Sequence, residues 1–176
     1  MKTFDVSWES ISLFQDLPPT MLDKVKSIFD IRSTEAGKNL ITEGDVGEEM
    51  FILIHGRVRI TKSMLIEGMN LPIMEVGNSR KVLATLDEKD YPIFGEIALI
   101  DRDTRSATIH VIEPSDFLVT DRSRFFELAE REPALGSRLL MVLAKRMAGT
   151  IRKGNSELIK VSTALALALS RYKTTS

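Results

Sequence analysis

The chain reads as a mainly β protein with flanking helices: an eight-stranded jelly-roll barrel with N-terminal helices before it and a long C-terminal helix after it. Three observations predict this. From Ile31 to Asp121 apolar residues recur with period two, the spacing of strands buried on one face. Turn-forming residues interrupt that stretch at short intervals, which divides it into about eight short strands. Apolar residues at helical spacing occupy both ends. With 176 residues and 43% hydrophobic content, the chain is one domain, or one domain plus an appendage. The predicted divisions are a helical segment over 1–30, the barrel over 31–121 and the C-terminal helices over 122–176.

Taken in order, residues 7–29 place Leu13, Phe14, Leu17, Leu22, Val25, Ile28 and Phe29 at near-helical intervals, interrupted by Pro18-Pro19. Pro19 or Thr20 opens the second helix, because proline suits a first turn. Glu43 to Val58 predicts strand, turn, strand, turn, strand, with Gly44, Gly47 and Gly56 at tight turns that need a positive φ. Further alternating runs are Val58–Thr61, Val82–Leu86, Ala107–Ile112 and Phe117–Val119. A long hairpin over 63–79 holds three of the chain's eight methionines among many apolar residues. It reads as a flap over a pocket, as a docking surface for a protein partner, or as an extended hairpin packed on its own barrel.

Helix returns where Asp121 or Ser123 can cap the segment 124–129. Glu132-Pro133 starts a longer helix, along which Leu140, Ala144, Met147, Ile151, Gly154, Leu158, Val161, Leu165, Ala168 and Tyr172 form a seven-residue repeat. Such a seam suits pairing with a second copy in a homodimer, the alternative being packing against the chain's own barrel. Gly149 and Gly154-Asn155 predict a bend or break. Ala164–Leu169 alternates, yet its alanine and leucine content favours helix.

The stretch 94–108 carries the chemistry. Gly95 lets the backbone approach a ligand closely. Residues 96–101 can form one helical turn with unpaired N–H groups at its start, which favour an anion. Arg105, ten residues after the glycine, adds a planar charged fork that fits two phosphate oxygens. Glu96, ionised, only accepts hydrogen bonds and so suits a donor such as a ribose hydroxyl. Together they suit a pocket for one sugar and one phosphate.

Gly95-Glu96, the apolar trio Ile97-Ala98-Leu99 and Arg105-Ser106-Ala107 resemble the phosphate-binding cassette of cyclic-nucleotide-binding domains, the family of the catabolite activator protein and the kinase regulatory subunits. The acidic glycine-rich run from Glu43 to Gly56 resembles the same family, and the likeness covers roughly residues 12–152. The resemblance implies Glu96 on the ribose, Arg105 on the cyclic phosphate, and Ile97, Ala98 and Ala107 as backbone donors. Ile60 and Leu83 would line the apolar side of the base, and Thr150 falls where activator-type members place a threonine that reaches it. Ser106 could touch the phosphate or a guanine amino group; relatives with serine there favour cyclic AMP over cyclic GMP. The ligand implied is thus cyclic AMP or cyclic GMP, without a metal.

Three features depart from the family's pattern. The run Asp90-Tyr91-Pro92-Ile93-Phe94-Gly95-Glu96 has two more residues than the usual one, predicting a bulge that moves the pocket entrance. The hairpin 63–79 is long. No DNA-reading domain follows the long helix, so the expected role is a regulatory sensor module without its own output domain. The alternative is a degenerate barrel that serves as an interaction or dimerisation module and no longer binds nucleotide.

Other classes find little support. With 24 basic and 25 acidic residues there is no electrostatic case for nucleic acid. The chain has no cysteine, which excludes disulfides and thiolate metal sites. His55 and His110, the two histidines, lie far apart in sequence and match no metal-ligand spacing, so an enzyme of the metal-dependent jelly-roll kind is not expected. No apolar h-region opens the chain, and the apolar stretch near Val161–Leu169 is too short to span a bilayer. The expected location is cytoplasmic.

Overall fold

The computed structural model describes residues 6–63 and 80–174; the predicted hairpin 63–79 lies almost wholly outside the described residues. The chain divides into two compact units, Met1–Gly136 and Ser137–Ser176.

In the first unit a 3-10 turn (Trp8–Ser10) and helix α1 (Pro19–Lys26) precede the sheet. The segment predicted as helix over 7–29 is therefore largely turns, although its apolar residues do their expected work: Ile11, Leu13, Phe14, Leu22, Val25 and Ile28 are buried. Proline opens α1 at its first position. Trp8, Phe14 and Phe29 stack and meet edge-on, with ring centroids 5.5–6.0 Å apart.

Six antiparallel strands follow: β1 (Asp30–Thr34), β2 (Asn39–Ile41), β3 (Glu49–Ser63), β4 (Arg80–Asp87), β5 (Ile93–Phe94) and β6 (Thr108–Asp121). The order is β1-β6-β3-β4, with β2 paired to β6 and β5 to β3. Among the described residues there are six strands rather than eight, and the sheet is not a closed barrel. The cause is local. Gly56 and Pro114 look like turn residues, yet they sit inside two long strands of 15 and 14 residues. The β3–β6 register slips between Leu53 and Val58, so these residues mark bulges that bend a continuous ribbon. Gly56 has φ +99°, and a Cβ there would stand 2.3 Å from Ser115 Oγ and 2.7 Å from the Pro114 carbonyl. The core between the bent arms contains Ile41, Phe51, Leu53, Val58, Phe94, Ile109, Val111, Phe117 and Val119.

Helix α2 (Glu96–Asp101) lies between β5 and β6, and α3 (Arg122–Arg131) follows β6 directly. Asp121 caps α3 by accepting the Arg124 N–H at 2.9 Å. Helix α4 (Pro133–Thr174) runs without interruption through Gly149 and Gly154, against the expected bend. Each glycine costs about 1 kcal/mol of helix propensity, spread here over a long helix rich in good helix formers. The alternating run 164–169 is helical, as its composition favoured.

Candidate functional site: a glycine-lined arginine pocket

Gly95 adopts the left-handed conformation, φ +79°, between β5 and the start of α2. That turn brings the chain from β5 of the sheet directly into helix α2. The two additional residues before it are absorbed upstream. Tyr91 takes a left-handed φ of 44°, and the Pro92 carbonyl accepts the Leu53 N–H at 2.9 Å. Phe94 then pairs with Phe51.

Arg105 is held from both sides. Its N–H donates to the Asp45 carbonyl at 2.8 Å, and its carbonyl accepts the Gly44 N–H at 2.9 Å. The residue is only 7% exposed. Its Nη1 donates to the Glu49 carbonyl at 2.8 Å and to the Gly95 carbonyl at 3.4 Å. The guanidinium carbon lies 6.0 Å from the Phe51 ring centre. A Cβ on Gly47 would stand 2.7 Å from both Nε and Nη2, and one on Gly95 would stand 2.6 Å from Nη1. Two glycines thus make room for this side chain. Gly47 was expected at a positive-φ turn, but it is not among the positive-φ residues. Its hydrogen side faces the guanidinium, so the requirement is close approach rather than backbone conformation.

Burial lowers the Arg105 pKa from its ordinary value, with the Glu49 and Glu96 carboxylates acting in the opposite direction. Glu49 is already engaged: Arg32 donates to its two oxygens at 3.1 and 2.6 Å, and that bond raises the Arg32 pKa despite partial burial. Its side chain donates to carbonyl oxygens and faces a ring, with the Glu49 and Glu96 carboxylates acting on it through space. A desolvated guanidinium in such surroundings is poised to gain from an incoming anion.

The pocket in front of it is lined by Ile41, Ile60, Ile93, Phe94, Gly95, Glu96, Ile97, Ala98, Arg105, Ser106, Ala107 and Ile109. Eight of the ten residues predicted from sequence therefore share one cavity: Gly95, Glu96, Ile97, Ala98, Arg105, Ser106, Ala107 and Ile60. Leu83, on β4, is 51% exposed and does not line it. Thr150 lies on α4 in the second unit, its hydroxyl donating to the Arg146 carbonyl at 3.3 Å. Sequence reasoning missed the apolar wall of Ile41, Ile93, Phe94 and Ile109, whose only signal was strand alternation. It also missed Gly47 and Glu49, which position the arginine. The backbone carbonyl of Ser106 accepts Lys62 Nζ at 2.8 Å, which pins the peptide beside the pocket.

A family model described as "Cyclic nucleotide-binding domain" matches residues 31–132. The chain belongs to the cyclic nucleotide-binding domain family. It is 29% identical over 135 residues to the cyclic AMP receptor protein of Thermus thermophilus, a match covering 77% of this chain and 56% of that protein. Against human cGMP-dependent protein kinase 2 it is 36% identical over 118 residues, covering 66% of this chain and 14% of the kinase. The chain thus spans little more than half the first relative and a small part of the second. Among solved structures, the Thermus thermophilus catabolite activator protein matches at TM-score 0.70 and 27% identity, covering 86% of this chain and 63% of that one. The regulatory domain of Toxoplasma gondii PKA, crystallised with cAMP, matches at TM-score 0.54 and 26% identity, over 69% of this chain and 41% of that one. As a cyclic nucleotide-binding domain, the chain has a regulatory ligand-binding fold, and residues 94–98 and 105–107 are among those that line the pocket described above. No helix among the described residues is long and apolar enough to cross a membrane.

Proposed function

We propose that this domain binds a cyclic nucleotide between Glu96 and Arg105 and acts as a regulatory sensor module, with no catalytic activity of its own. The observation that carries this reading is that Glu96 and the buried Arg105 line one cavity. Arg105 takes the cyclic phosphate, Glu96 the ribose hydroxyl, and the amides of Ile97, Ala98 and Ala107 the remaining phosphate oxygens. Ile60 packs on the base, Leu83 lies outside the lining residues, and Thr150 is the proposed threonine contact to the base from α4. Ser106 favours cyclic AMP over cyclic GMP.

Calorimetric titration with each nucleotide tests this, and Gly47→Ala sharpens it. The added methyl would collide with Nε and Nη2 of Arg105, at a backbone φ that alanine accepts. Affinity should fall about tenfold, or about 1.4 kcal/mol, with the melting temperature nearly unchanged. Heat of binding from neither nucleotide would leave the alternative, a barrel retained for protein interaction.

The seam on α4 supports a homodimer. Ile151, Leu158, Val161 and Leu165 are 59–65% exposed at heptad spacing, an apolar stripe that a second copy of the helix would cover. Sedimentation equilibrium at micromolar concentration should give twice the 19.8 kDa chain mass. A monomer under those conditions would count against pairing through this helix. The loop 63–79 remains the proposed surface for a protein partner, and cytoplasmic location and absence of nucleic-acid binding belong to the same reading.

A further inference from the structure

The segment that carries Arg105 into β6 is held at several points along its length. The Arg105 carbonyl accepts the Gly44 N–H at 2.9 Å. The Ser106 carbonyl accepts Lys62 Nζ, from the far end of β3, at 2.8 Å. The Thr108 hydroxyl accepts the Glu43 N–H at 3.0 Å and Arg80 Nη1 at 2.5 Å. The bond at Ser106 differs from the others in one respect. That carbonyl belongs to the same peptide group as the Ala107 N–H, and both residues line the pocket.

Lys62 is itself steered. Its Nζ lies 3.6 Å from Glu43 Oε1, while Glu43 Oε2 accepts the Ser63 N–H at 2.7 Å. The Lys62 side chain is 52% exposed, so the ion pair by itself adds little stability. Its effect is geometric: the carboxylate sets where the ammonium stands, and the ammonium meets the Ser106 carbonyl in a charge-assisted bond. A trans peptide is planar, with its C=O and N–H pointing in opposite directions. Lys62 is not among the residues that line the pocket. Drawing the carbonyl toward Lys62 therefore turns the Ala107 N–H toward the cavity.

We propose that Lys62 is a positioning residue: by holding the Ser106 carbonyl outside the pocket, it aims the Ala107 N–H at one oxygen of the cyclic phosphate. The inference rests on the nucleotide-binding reading above. Ser106 and Ala107 form a bend between Arg105 and the start of β6, outside any ladder of strand hydrogen bonds. The tilt of their shared peptide is set by what its carbonyl meets. An amide fixed in advance costs no reorganisation when the anion arrives. Lys62 acts through the peptide and touches no atom of the ligand.

The test is calorimetry on the intact chain with cyclic AMP and with its two phosphorothioate diastereomers, in which sulfur replaces one or the other exocyclic oxygen. The proteins are the parent, Lys62→Met and Lys62→Arg. Lys62→Met keeps an apolar stem and removes the bond, and Lys62→Ala serves where it folds poorly. In Lys62→Met, affinity for cyclic AMP should fall about three- to tenfold. The loss should be uneven across the analogues. The diastereomer whose sulfur faces the Ala107 N–H should lose little, because that bond is already impaired, and the other should lose as much as cyclic AMP. Lys62→Arg, a cationic donor, should restore both the affinity and the discrimination; failure to restore either counts against the bond. A cation acting only through space would weaken all three ligands alike, and high salt would erase its effect. That result, or parental affinity in Lys62→Met, would overturn the inference. If the parent itself binds neither cyclic AMP nor cyclic GMP, the functional reading fails instead. The positioning role is then judged without ligand, by the Ala107 amide in nitrogen–proton correlation spectra. A shifted resonance with faster hydrogen exchange in Lys62→Met supports it, and an unchanged amide refutes it.

Discussion

Replacing Arg105 by alanine is expected to weaken cyclic-nucleotide binding by about 2–3 kcal/mol or more, at least roughly thirtyfold. Arg105 is 7% exposed and its guanidinium is partly desolvated, so the folded chain has met part of the cost of presenting it to a phosphate. Its backbone is clamped by Asp45 and Gly44, and its head lies between Gly47 and Gly95 over the Phe51 ring. Little ordering remains for the ligand to impose, which concentrates the binding energy in charge-assisted bonds. Lysine at this position keeps the charge but loses the fork, and it should recover only part of the affinity. Because burial lowers the Arg105 pKa, the charged group is a burden on the free fold. The alanine variant should therefore melt close to the parent temperature. Equal affinity of parent and variant in calorimetry would remove Arg105 from the site.

The second large effect falls on stability. Gly56→Ala should destabilise the domain by about 3 kcal/mol, combining the cost of a left-handed L-residue with overpacking. The new Cβ would stand 2.3 Å from Ser115 Oγ and 2.8 Å from Ser115 Cα, so backbone as well as side chain must move. Ser115 is itself fixed, accepting the Arg57 N–H at 3.2 Å and donating to the Glu113 carbonyl at 2.6 Å. Thermal unfolding should show a loss of roughly 6–12 °C, and the nucleotide affinity of the folded fraction should stay near that of the parent. Gly44 is the control: its φ is +87°, but nothing lies within 4 Å of the site of its Cβ. Alanine there should cost only the backbone term, about 1–2 kcal/mol. Similar losses at the two positions would mean that crowding at the β3–β6 bulge contributes little.

The parts of the site that were legible in the sequence are those whose geometry is local. Gly95, Glu96 and the turn of α2 are neighbours in the chain, and the cap at Asp121 depends on one side chain and an amide three residues on. The strand count was not legible, because glycine and proline signal a turn and a bulge in the same way. Which one forms depends on whether the partner strand continues alongside, and here β6 does. Gly47 shows the same limit in the site itself. Its neighbour in space, Arg105, is remote in the chain, and no local pattern separates a glycine that turns the backbone from one that clears space.

The sequence alone determined which groups could meet at one pocket: a carboxylate, a guanidinium and the start of a short helix, at spacings that one turn of helix and one loop can bring together. It also determined that the C-terminal segment is helical, since helical propensity and heptad spacing act over short distances, although the run through Gly149 and Gly154 is unbroken where a bend was expected. Only the tertiary structure decided that Arg105 is buried against carbonyls rather than solvated, that Arg32 occupies the Glu49 carboxylate, and that Lys62 holds the Ser106 carbonyl. Those contacts join residues far apart along the chain, and desolvation exists only once the sheet has folded around them.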